Sequence, residues 1–211
     1  MKRAVIFDFD GTIGDSFEYV YDFLKLEAKN SSAYSAKELQ HLRGMSMRRL
    51  ALHLGVPVWR LPLTYFKGRR VMRAHMEHVE VFPGMDTVIR QLHQDGVLLF
   101  IASSNSTHNI RNFLKHYGLS HYFTVVRGGA GIMGKSSVIK QLIVRYRLTR
   151  SATWYVGDET SDVVAAAGAG VPCLAVTWGF ADPKKMQMLE PAAIARQAKD
   201  IPKLLEAAWK K

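Results

Sequence analysis

The 211 residues, 48% hydrophobic and 22% charged, exclude a disordered chain and suit one folded domain, or one domain carrying an insert. No apolar run reaches the ~18 residues a membrane-spanning helix needs, and the lone cysteine, Cys173, excludes a disulfide framework and a multi-cysteine metal site. Lys and Arg number 29 against 18 Asp and Glu, and this formal charge of +11 suits an anionic partner without choosing among nucleic acid, lipid surface and small metabolite.

Taken in chain order, the first pattern is the apolar run Arg3-Ala4-Val5-Ile6-Phe7, which stops at Asp8. Asp8 and Asp10 interrupt it, which excludes a signal-peptide core, so a cytoplasmic location is expected. Similar runs recur over 97–102, 123–126, 153–156 and 172–177. Continuous apolarity over so few residues predicts strands buried on both faces. Helical spacing is predicted between them over 86–94, 107–117, 136–147 and 161–167, with Gly96, Gly118 and Gly170 where helices should end. Strands alternating with helices predict an α/β fold, a Rossmann-like parallel sheet flanked by helices.

One stretch breaks the alternation. From about 15 to 81 no strand pattern occurs, only helical spacing. Tyr19, Phe23, Leu24 and Ala28 fit one helix face. Met47, Leu50, Ala51 and Leu54 fit a second, and Tyr65, Phe66, Val71, Met72 and Met76 a third. This predicts a helical insert over 15–81 within an α/β core of 1–14 and 82–211.

Chemistry-bearing residues gather where the predicted strands end. Asp8-Phe9-Asp10-Gly11-Thr12 puts two carboxylates at the carboxyl edge of the sheet, where open α/β folds bind ligands. Crowded carboxylates favour a cation, and an all-oxygen site suits Mg²⁺. A bare pair of this kind equally describes a strand end with acids facing water. Gly157-Asp158-Glu159-Thr160-Ser161-Asp162 follows another apolar run, and either aspartate alone could be a helix cap. Ser103-Ser104-Asn105-Ser106 offers hydroxyls and free N–H groups to an anion, or an ordinary cap. Lys135 precedes a predicted helix and could simply be solvated.

In this order and spacing the four groups resemble the haloacid dehalogenase-like (HAD) superfamily of hydrolases, over nearly the whole chain. Residues 8–16 match the first motif, D-x-D-G-T-hydrophobic-x-D-S, in full. Ser103 matches the second motif, Lys135 the third, and Gly157-Asp158 with Asp162 the fourth, G-D-x-x-x-D. Residues 167–172 and 177–180 look like the ending of the phosphoglycolate phosphatase-like branch, which also carries a helical cap after motif one. The lysine departs from the pattern: Ser136-Ser137 follows it where many relatives have Pro-x-Pro, which leaves Lys140 as an alternate.

The resemblance implies a phosphatase acting on a small phosphorylated metabolite. Asp8 would be the nucleophile and form an aspartyl-phosphate, and Asp10 the acid and then the base. Mg²⁺ would bind Asp8, the Asp10 carbonyl and Asp158, supported by Asp162. Ser103, the Ser104 N–H and Lys135 would hold the phosphoryl oxygens. A phosphomutase of the same branch is an alternative, as is a polyanion-binding module with a residual hydrolase site. Nucleic acid is the less expected partner, because no basic cluster is interleaved with stacking aromatics.

The positive charge is concentrated. Residues 41–76 hold eight Lys and Arg and no Asp or Glu. Within the cap loop 42–48, Arg43 and Arg48 are candidates to contact an anionic leaving group, for which bidentate guanidinium is suited. A solvated basic face accounts equally well for both. His108 is expected at the surface, Cys173 in a buried strand, and Trp178 in packing.

Overall fold

The computed structural model describes every residue except 1, 30, 31, 33, 46, 131–133, 181 and 211, and only the backbone of 36 and 40. Ser46 of the expected cap loop therefore lies outside the described residues.

The predicted apolar runs form strands β1 (Ala4–Phe7), β4 (Leu98–Ala102), β5 (Phe123–Arg127), β6 (Thr153–Gly157) and β7 (Cys173–Val176). With β8 (Ala193–Ala195) they make one six-stranded sheet in the order β5-β4-β1-β6-β7-β8. Every pairing is parallel. The chain runs outward from β1 through β4 to β5 and then crosses back to β6 on the other side of β1. The crevice at this switch, beyond the carboxyl ends of β1 and β6, is where ligands bind in open α/β sheets.

All four residues of β1 are fully buried because both sheet faces are covered. Val5 and Phe7 pack with residues of α5 (Met85–Gln94), α6 (Thr107–His116) and α10 (Asp200–Trp209). Ala4 and Ile6 pack with those of α7 (Lys135–Tyr146) and α8 (Thr160–Ala169). Continuous apolarity is what such a central strand requires.

The insert contains α1 (Phe17–Glu27), α2 (Ala36–Arg43), α3 (Met47–Leu54) and α4 (Leu61–His75). Its helices share a small core in which Phe17, Leu24, Leu42, Leu50 and Leu54 meet Phe180, contributed by the loop after β7. The expectation of helices alone over 15–81 needs correction at both ends. Gly14–Asp15 (β2) pairs antiparallel with Glu80–Val81 (β3), so a ribbon ties the two crossings into the insert. Two-residue strands are too short to display alternation, and sequence spacing does not register them.

The sequence patterns also omit α2, β8, α10 and the short helix α9 (Pro183–Gln187). α2 had a legible start signal, since Ser35 and Glu38 form a reciprocal capping box, but its body is largely polar. β8 is three residues long and two of them are alanine, which carries little strand signal. Among the described residues no helix is long and apolar enough to cross a membrane.

Phe113 of α6 is fully buried and meets Phe9 edge-on, with centroids 4.8 Å apart, directly beneath the turn that carries Asp10. Phe113→Ala is expected to lower the unfolding free energy by about 3–5 kcal/mol, measured by urea denaturation.

Candidate active site

Asp8 is the first residue beyond β1. Its N–H extends the sheet by donating to the Val156 carbonyl at 2.8 Å, which holds its backbone rigidly. One carboxylate oxygen accepts from the Phe9 N–H at 2.7 Å, and the other from Lys135 Nζ at 2.5 Å. The chain then turns sharply: the N–H groups of Thr12, Ile13 and Gly14 all donate to the Phe9 carbonyl. That turn lifts Asp10 over the sheet edge. The Asp10 carboxylate accepts from Ser16 Oγ at 2.7 Å and Asn105 Nδ2 at 3.0 Å.

Gly11 is required in this turn for two reasons. It has φ +79°, and a Cβ there would lie 2.2 Å from the Asp158 carboxylate. Asp158 follows β6 and is fully buried. Its two oxygens accept from Thr12 Oγ1 at 2.7 Å and the Phe180 N–H at 2.8 Å. Gly179 leaves room on its other side, since a Cβ there would come within 2.3 Å of the same side chain.

Asp162 acts as the helix cap its position suggested and also makes a contact the sequence did not signal. One oxygen caps the start of α8 by accepting from the Glu159 N–H at 2.9 Å, and the other accepts from Lys135 Nζ at 2.6 Å. Lys135, at the start of α7, thus bridges Asp8 and Asp162, whereas Lys140 is exposed on the same helix. Burial would lower the Lys135 pKa, but Asp162 and Asp8 outweigh it and hold the ammonium well above its ordinary value.

Ser103 and Ser104 follow β4. Ser103 is buried, its hydroxyl accepts from the Asn105 N–H at 3.2 Å, and its backbone is stitched to the chain after β5 through Arg127 and Ala130. Asn105 had been legible only as a cap. Its side chain in fact connects Asp10 to Asn109, with its carbonyl oxygen accepting from Asn109 Nδ2 at 3.0 Å. No sequence spacing signals that contact, because Asp10 and Asn105 meet only through strand neighbours.

The carboxylates of Asp8, Asp158 and Asp162 each place an oxygen within 4.8 Å of the other two, and all three residues are buried. Burial, then Asp162 and Asp8, push the Asp158 carboxyl well above the usual range. Burial likewise raises Asp162 to about 7, against the lowering effect of Lys135. A buried all-oxygen donor set whose members oppose one another's ionisation is matched to a hard divalent cation.

Asp8, Asp10, Ser103, Ser104 and Lys135 share the wall of a cavity of about 1070 Å³ with residues of the insert. Arg48 is on that wall. Arg43 is not among its lining residues; its guanidinium pairs with Asp15 at 2.9 Å and lies over the Phe17 ring, 4.6 Å from the centroid. Three further contacts join insert and core. Tyr65 OH donates to the Ser104 carbonyl, the Met47 N–H donates to Glu159 at 3.3 Å, and Asn109 donates to the Arg69 carbonyl at 2.8 Å. His108 is exposed and Cys173 buried, where burial pushes its thiol up. Trp178 packs beside Phe82 and donates to the Thr12 carbonyl at 3.2 Å.

Burial raises Asp10 from 3.8 to about 6; the Ser16 hydrogen bond opposes this and the neighbouring Asp8 adds to it. The folded state therefore holds its proton more tightly than the unfolded chain. The associated stability is complete below pH 3.8 and lost as pH rises through about 6. Asp10→Asn removes that loss while keeping an oxygen for Ser16 and Asn105. In chelator, it is expected to gain about 2–3 kcal/mol over wild type on going from pH 3.5 to pH 8, measured by denaturant unfolding.

The family profile described as haloacid dehalogenase-like hydrolase matches residues 5–176. A phosphoglycolate phosphatase of Synechococcus elongatus is 33% identical over 201 residues, covering 94% of this chain and 95% of the relative. A phosphoglycolate phosphatase of Photorhabdus laumondii is 25% identical over 221 residues, covering 94% and 90%. A solved haloacid dehalogenase-like hydrolase from Streptococcus pneumoniae has the same fold, with a TM-score of 0.80 at 20% identity over 100% of this chain and 99% of its own. Strand-end aspartates around the β1/β6 crevice and a match over most of the chain lead to one conclusion: the protein belongs to the haloacid dehalogenase-like hydrolases, on the phosphoglycolate phosphatase-like side of that family.

Proposed function

We propose that the protein is a Mg²⁺-dependent phosphatase that hydrolyses a small phosphorylated metabolite through an aspartyl-phosphate on Asp8, with residues 15–81 as its cap. The observation that carries this reading is the division of labour between two aspartates in one turn. Asp8 is paired with Lys135, which also pairs with Asp162, while Asp10 lies apart from that pairing, held by Ser16 and Asn105, with its pKa raised to about 6.

In this mechanism an Asp8 carboxylate oxygen attacks phosphorus. Asp10 gives its proton to the departing alcohol oxygen, so the alcohol leaves neutral. The ionised Asp10 then takes a proton from water as the water attacks the aspartyl-phosphate, which returns Asp8 and inorganic phosphate. A pKa between those of an ordinary carboxyl and neutral pH suits a group that must do both. Ser103, the Ser104 N–H and Lys135 receive the phosphoryl oxygens, and Lys135 keeps one ammonium near the charge that develops there.

The carboxylates of Asp8 and Asp158 and the Asp10 carbonyl would hold Mg²⁺, with Asp162 adding negative charge behind them. When bound, the ion offsets the repulsion between the Asp8 carboxylate and the phosphate. The cap reading is supported by its contacts at Tyr65, Met47 and Arg69, which meet the core around the Ser104 loop and Glu159. Arg48 remains available to an anionic group of the substrate. Arg43 is engaged with Asp15, and its part is to join the cap to the ribbon at its base.

A panel of phosphorylated metabolites with Mg²⁺ tests the assignment. Wild type should turn over at least one of them, and Asp8→Asn should lower kcat/KM on the order of 10³-fold or more while its circular dichroism is unchanged. Activity that survives the substitution would refute the mechanism. For the two arginines, Arg48→Ala is expected to raise KM for anionic esters. Arg43→Ala should instead lower stability by about 0.5–1 kcal/mol, because its pair is partly exposed.

A further inference from the structure

The cavity above Asp8 is much larger than a small hydroxy acid requires. Ligand pockets of about 300–1,000 Å³ enclose drug-sized molecules, and this one measures about 1070 Å³. Its floor is polar, formed by Asp8, Asp10, Ser103, Ser104 and Lys135. The part lined by the insert is different. Val20, Phe23 and Leu24 of α1 and Leu61 and Met72 of α4 line it, and Met188, strongly exposed, adds an apolar side chain from the core.

Thr64 is buried in this wall with its hydroxyl oxygen out of reach of the cavity, so the face that the cavity meets there is the apolar one. Arg48 and Arg49 share the wall and have no carboxylate partner among the described residues, which suits the negative charge of the ester.

We propose that the substrate is a phosphate monoester of a bulky, largely apolar alcohol, whose body lies between the α1 and α4 faces of the insert while its phosphoryl group meets Asp8. This rests on the phosphatase reading and adds the class of leaving group. The bond broken is still the P–O bond of the ester, so the apolar body takes no part in the chemistry. It contributes binding energy remote from phosphorus, which can be used to close the cap and position the ester.

A homologous series of n-alkyl phosphates from methyl to hexyl isolates this effect, because leaving-group acidity is nearly constant along it. With Mg²⁺, kcat/KM is expected to rise at least about tenfold across the series and to exceed that for phosphoglycolate. Leu61→Gln should cut the hexyl-to-methyl ratio by about tenfold. A flat or falling series, or a preference for phosphoglycolate over hexyl phosphate, would overturn the proposal. Binding of the same esters to Asp8→Asn, read by calorimetry, separates the two readings. Affinity that tightens with chain length when wild type hydrolyses no ester would sink the phosphatase assignment and support the cavity assignment. Affinity independent of chain length would overturn the cavity assignment whatever the turnover.

Discussion

Four aspartates converge at the crevice between β1 and β6, and their mutual repulsion is the constraint on which the rest of the site depends. Asp8, Asp158 and Asp162 are buried, and Lys135 supplies one ammonium among them. Such a cluster is stable only if every carboxylate is held by donors and the backbone leaves it room. Gly11 and Gly179 flank Asp158 so closely that no side chain fits at either position, and Gly157 stands in the same relation to Asp162. Thr12 and the Phe180 N–H satisfy Asp158, while the Phe9 N–H and Lys135 satisfy Asp8. The charge left over after these pairings is what makes the site suited to a divalent cation and to phosphoryl chemistry.

The insert is joined to this cluster by individual polar contacts on a small scale. Its four helices have their own apolar core, into which the chain after β7 sends Phe180. The Phe180 N–H in turn holds Asp158, so one residue connects insert packing to the acidic cluster. Tyr65, Glu159 and Asn109 make further links, to the Ser104 carbonyl, the start of α3 and the Arg69 carbonyl. Apolar packing adds to these contacts, since Met72, Met76 and Val79 of the insert lie in the same buried core as Phe9 and Phe113. The excess positive charge of the chain falls on the same helices, with Arg48, Arg49 and Arg69 on the cavity wall and Arg43 neutralised by Asp15.

Much of the site was legible from local pattern. Asp8-Phe9-Asp10-Gly11-Thr12 is contiguous, and a tight turn after a buried strand leaves it few conformations. Gly157-Asp158 and Asp162 are equally local, and Asp162 is a helix cap by position as well as a partner of Lys135. Local pattern could not reveal pairings that depend on which strands become neighbours. Asn105 reaches Asp10 because β4 lies beside β1, and Lys135 reaches Asp8 because α7 packs on the face opposite Phe7. The ribbon of β2 and β3 and the strand β8 are likewise silent in the sequence, since two or three residues cannot show a periodicity.

By itself the sequence determined the strand–helix alternation, the placing of the helical insert and the identity of the acidic residues at the strand ends. These follow from the short-range periods of strand and helix and from turn chemistry, which are properties of neighbouring residues. Only the tertiary structure decided which arginines face the cavity, which asparagine orients Asp10, and that the insert lines the cavity with apolar side chains. Those outcomes depend on distances between residues tens of positions apart in the chain. Such distances are set by sheet order and helix packing, which no local window contains.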